Sequence, residues 1–139
     1  MNKEAYVSFE TAKLLKEKRF NWRVFNFYDE HGRFSEHIGS VYTLYNWNYP
    51  AEDGHFSQYC SAPTQQMARR WLREEHKIHI TTEPLEMFKQ ERIVYEPIIY
   101  LLNDFDDFAL EYKTVHLKEC DTNEDAIEAA LEYTLTKLI

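Results

Sequence analysis

Three stretches of the chain repeat apolar residues at spacings of three and four, the signature of amphipathic helices. Over residues 9–19, Phe9, Ala12 and Leu15 share a stripe while Lys13, Lys16 and Glu17 face away, and Ser8 stands ready to cap the first turn. Over residues 62–76, Thr64, Met67, Ala68, Trp71, Leu72 and Glu75 form the inward side. Pro63 suits a first turn there, and Ser61 or Thr64 offers a cap. Over residues 123–138, Ile127, Ala130, Leu131, Thr134 and Leu138 form the stripe. Asp121 with Glu124 fits a capping box, and Thr122 with Asp125 fits one less well.

Between the helices the period changes to two or disappears. Strands are expected over residues 22–29 and 34–38, joined by a turn at His31-Gly32, and over 41–47. Residues 48–61 read as a long loop. A strand over 77–83 is followed by a connection over 84–91. The next strand, 93–103, contains Pro97, which cannot donate to a ladder and so predicts a bulge or an edge. Ile98 to Leu102 are apolar without alternation, as on a strand buried on both faces. Phe108, Leu110, Tyr112 and Thr114 alternate with polar residues as one more strand. The fold class is therefore α+β: three amphipathic helices packed on a mainly antiparallel sheet. The helices at 13–21 and 70–79 also resemble each other, which suggests two helix-hairpin units plus a C-terminal helix.

Length and composition narrow the class. A chain of 139 residues is the size of one domain, so residues 1–139 are expected to form a single one. An aromatic content of 16% argues against disorder. Cys60 and Cys120 make no disulfide framework. The first fifteen residues have no apolar run, and the longest apolar stretch is far short of a membrane span, so a cytoplasmic protein with reduced thiols and no membrane contact is expected. The net charge of −8 is uneven: residues 78–139 carry 14 acidic and 5 basic residues. Such a field repels phosphate backbones and disfavours nucleic acid as a partner.

Candidate chemistry is sparse. His76 and His79 have a His-x-x-His spacing, with His55 and Cys60 upstream, but a helix end and a strand start need not aim two rings at one metal. Asp107, Glu111 and Lys113 resemble the acid, Glu-x-Lys pattern of metal-dependent nucleases, in which carboxylates hold Mg²⁺ and the lysine steadies a phosphate. A solvated strand face explains the same residues. Arg69, Arg70, Arg73 and Lys77 line one helix, where local pairing with acids is the plain account. Tyr45, Trp47, Tyr49, Phe56 and Tyr59 concentrate aromatics in one loop, the best placed binding surface for a protein partner or a second copy in a homodimer; folding back onto the sheet is the alternative. No cofactor-binding motif is present, and no phosphate loop or nucleophile elbow occurs.

The run CSAPTQQMARRWLREEHKI at residues 60–78 resembles a set of small proteins encoded by gut anaerobic bacteria and by their prophages or mobile elements. Residues 6–18 and 124–139 are similar to theirs as well. Those proteins often have Gly where this chain has Arg19, which implies a different ending for the first helix. The resemblance implies a family and an origin, with no activity attached and no functional residue transferred. It is consistent with a non-enzymatic binding module. A metal-dependent hydrolase or nuclease and an acidic decoy of a nucleic-acid-binding protein, acting through residues 104–132, are the alternatives.

Overall fold

The computed structural model describes residues 5–36, 46–48, 59–87 and 90–139. The chain is α+β, and its described residues form three α-helices and two three-stranded antiparallel sheets in place of the one sheet expected. It divides into two compact units, residues 1–64 and 65–139.

In the first unit, α1 spans Phe9–Glu17, and the Ser8 hydroxyl accepts from the Thr11 N–H at 3.1 Å, satisfying a donor with no helical partner. Thr11, Ala12 and Leu15 are its buried positions. The helix ends in a double reversal: the Arg19 N–H donates to Lys16 O and the Phe20 N–H to Leu15 O, with Arg19 at φ 67°. Strand β1 (Asn26–Tyr28) pairs with β2 (Phe34–Glu36) and with β3 (Cys60–Ser61). The β1–β2 turn is closed by the Asp29 carboxylate, which accepts from the His31 and Arg33 N–H groups at 2.8 and 2.9 Å. Gly32 takes φ 79° there, and a Cβ on it would meet the Phe9 ring at 2.7 Å, so the position requires glycine twice over. The strand expected over 41–47 falls mainly outside the described residues; Trp47 and Asn48 lie in a turn.

In the second unit, α2 spans Gln65–His76, starting two residues after Pro63 rather than on it. Its buried residues are Gln65, Ala68, Trp71 and Leu72, while Glu75 is exposed and not part of the inward side. A single residue, Lys77 at φ 56°, separates it from β4 (Ile78–Met87). β4 pairs with β5 (Arg92–Asp106), which pairs with β6 (Glu111–His116). Both strands of the β4–β5 hairpin outrun their expected ends. Pro84 reads as the end of β4, yet among the described residues β4 is an edge strand. Lys77 O accepts from Leu102 N, so the odd-numbered residues turn their N–H groups toward β5. Pro84 is even-numbered, and its missing N–H falls on the free edge. Pro97 lies on the central strand by the same logic. Its missing N–H faces the β6 side one residue beyond the last pair, Ile98↔His116, and its carbonyl accepts from Leu117 N at 3.1 Å. Two residues earlier, Tyr95 and Cys120 exchange both backbone hydrogen bonds at 2.8 Å, so Lys118 and Glu119 stand opposite Glu96 alone, and the irregularity expected at Pro97 is present. A second irregularity lies farther on: between Leu101↔Lys113 and Phe105↔Tyr112, residues 102–104 of β5 have no counterpart in β6, and such an insertion bends and twists a ladder.

Phe108 and Leu110 are not strand residues. They lie in the four-residue turn between β5 and β6. Helix α3 spans Asn123–Tyr133 and runs into a π-helical turn over Thr134–Leu138. Thr122, not Asp121, caps it, accepting from the Asp125 N–H at 3.0 Å. Ile127, Ala130, Leu131 and Thr134 are buried as their stripe predicts, and Leu138 is half-buried.

Candidate functional site

The most unusual surface is the tip of the β5–β6 hairpin. Every residue from 103 to 113 is exposed, on both strands and both faces, so beyond the bulge the hairpin has left its sheet's covered region. Apolar side chains sit there in the open: Phe108 is 102% exposed, Leu110 76%, Phe105 46% and Tyr112 41%. Scattered single apolar residues on a surface are ordinary; four within eight positions of one turn are not.

The tip is built rather than loose. Asp106 Oδ1 accepts from the Phe108 and Ala109 N–H groups at 2.9 and 3.2 Å, closing the turn with its own side chain. The Phe105 and Tyr112 rings meet edge to face at 5.1 Å across the last ladder pairs. Leu110 is held at φ 56°, a left-handed conformation unusual for a leucine. Around these apolar groups stand Asp104, Asp106, Asp107 and Glu111, against one cation, Lys113. The expected nuclease set, Asp107, Glu111 and Lys113, thus falls on this exposed tip, one residue in the turn and two along β6.

The aromatic loop is partly outside the described residues: Tyr45, Tyr49 and Phe56 are not among them. Trp47 and Tyr59 are, and both gather on Phe27 of β1, with ring centroids 4.4 and 4.7 Å away. Trp47 is pinned at three points, since its indole N–H donates to Val24 O, its backbone N–H donates to Ser61 Oγ, and its ring covers Phe27. Asn48, which no pattern marks out, is the buried polar knot of this region. Its Nδ2 donates to Phe20 O and its Oδ1 accepts from Ser61 N, both at 2.9 Å. Tyr59 stays 42% exposed.

His76 packs edge to face against Trp71 at 4.8 Å, whereas His79 lies by Tyr100 across the β4–β5 ladder. Among the described residues, no three metal-ligating side chains come together. His79 instead lines a groove of about 170 Å³ with Thr81 and with Gln66, Arg69, Arg70 and Arg73 of α2. Burial, then the Arg73 and Arg69 charges, push the His79 pKa down. A larger, open hollow of about 460 Å³ at the β4–β5 turn is lined by Glu86, Glu91, Arg92, Met87 and Ile93. Arg92 there pairs with Asp121 at 3.0 Å.

No protein-family model, curated protein or solved structure matches the chain. No helix among the described residues is long and apolar enough to cross a membrane.

Proposed function

We propose that this chain is a non-enzymatic interaction module, and that the β5–β6 hairpin tip is the element it inserts into a protein partner. The observation that carries the reading is a fully exposed Phe108 on a turn already fastened by Asp106. A turn whose backbone is fastened before binding loses little backbone entropy on docking, which favours a few aromatic residues dominating an interface. The rim of four acids specifies the partner's chemistry: an apolar pocket edged by lysine or arginine. A nucleic-acid-binding protein has such edges, so the tip suits an acidic decoy as well as any other basic partner. The helices serve this role as supports for the sheets, in two helix-hairpin units followed in the chain by α3. The similarity of residues 60–78 to small proteins of gut bacteria and mobile elements gives the setting, an accessory protein acting on a host or phage factor.

The test is to place a photoreactive phenylalanine analogue at position 108 and irradiate cells expressing the protein. One discrete cross-linked partner with a basic surface, released by salt, supports the reading. A second copy of the chain as the sole product replaces it with self-association, and a smear no different from that at exposed Glu17 rejects it.

A further inference from the structure

We propose that the groove between α2 and the β4 edge binds a compact oxyanion of the phosphate class, held by Arg69 and Arg73. The argument starts from a charge census. Arg70 is neutralised by Glu74, Nε to Oε1 at 2.9 Å, and Lys77 is spent on the Glu74 carbonyl. Arg69 and Arg73 are not matched in this way. Arg69 makes one long contact, Nη1 to Ile80 O at 3.5 Å on the free edge of β4, and its buried Nε has no hydrogen-bond partner among the described residues. A guanidinium offers five donors, so this one is far from satisfied.

Arg73 adds a second positive charge close enough to press on both Arg69 and His79, and no carboxylate lines the groove among the described residues. A basic residue near a helix C-terminus is favoured by the macrodipole, which accounts for Arg73 alone. It does not account for a half-buried Arg69 in the middle of α2 in a chain of net charge −8. Like charges gathered in a concavity are stabilised when an anion sits among them.

Size and donor geometry select the anion. The groove's 170 Å³ equals roughly six water molecules and falls below the range of pockets for larger ligands. Two planar forks match the edges of a tetrahedral oxyanion, with the Thr81 hydroxyl and the Gln66 amide as neutral donors. The proposal concerns residues separate from the hairpin tip and stands or falls without it.

The experiment is an NMR titration of the intact protein with inorganic phosphate near neutral pH, chloride holding the ionic strength constant. The readouts are the His79 imidazole and the Thr81 amide. A saturable shift of both is expected, weakened about tenfold or more in Arg73→Gln, an exposed position whose replacement leaves the fold intact, and by less than about threefold in Arg70→Gln. Phosphoserine is the second arm. Binding as strong as phosphate assigns the groove to phosphoryl ends of larger molecules, and weaker binding assigns it to the free ion. No saturable shift up to roughly 50 mM, an equal response to acetate, or full binding by Arg73→Gln would overturn the proposal.

Discussion

Arg19→Gly is expected to stabilise the protein, and the gain can be worked from the backbone. Arg19 sits at φ 67°, just past α1, with its N–H and that of Phe20 closing the helix end on Lys16 O and Leu15 O. A side chain with a Cβ costs about 1–2 kcal/mol in that conformation. Glycine removes the cost but loosens the unfolded chain by about 0.4–1 kcal/mol. The net gain is about 0.5–1 kcal/mol. For a chain of 139 residues that raises Tm by roughly 2–4 °C. Removing the charge also forfeits a favourable interaction with the helix C-terminus, so Arg19→Ala is the necessary comparison. It loses the same charge and keeps the Cβ, and it is expected to gain nothing. The assay is thermal unfolding of both variants beside the wild type. If alanine matches glycine, the left-handed conformation is not the source of the gain and the reasoning fails.

Other outcomes follow from single contacts. Thr122→Ala is expected to lose about 1 kcal/mol in urea unfolding, and Asp121→Ala no more than about 0.5 kcal/mol, because only Thr122 accepts the Asp125 N–H; the reverse order would reinstate the other cap. Trp47→Ala removes a half-buried indole, its hydrogen bond to Val24 O and its cover over Phe27, and is expected to destabilise by about 2–3 kcal/mol in the same assay. The His79 pKa is depressed in the folded state, so the unfolded chain takes up the proton first. Its contribution to stability is complete above the ordinary value of 6.5 and declines as pH falls below it. His79→Gln should therefore flatten the loss of Tm on mild acidification, and an unchanged slope would contradict the assignment.

The helices were legible because each carries a stripe and a boundary signal of its own, and the Ser8 cap is read directly from its place before Phe9. The strands were legible in kind but not in length. Pro84 looks like a break, and only the register shows that its missing N–H points away from β5; Pro97 reads as a bulge or an edge, and the ladder does shift beside it, where Lys118 and Glu119 oppose Glu96. Phe108 and Leu110 misled for the opposite reason. Alternation of apolar and polar residues marks a half-buried strand only when one face is covered, and here neither is. The same blindness to solvent hid the site. Acids and aromatics at 104–112 read as a solvated face, while their meaning comes from the unpaired residues 102–104 that bend the hairpin and from the Asp106 turn that presents the ring. The groove was half visible: three arginines on one helix are in the sequence, but which of them Glu74 neutralises is not.

The most direct measurement compares the affinity of the cross-linked partner for the wild type and for Phe108→Ala by calorimetry, with Tm recorded for both. Phe108 touches nothing that holds the fold, so Tm should stay within about 1 °C. Affinity should fall about thirtyfold, the loss of roughly 2 kcal/mol expected of a central aromatic anchor. Equal affinities at equal Tm would mean that the hairpin tip is a bystander and that the protein binds through another surface.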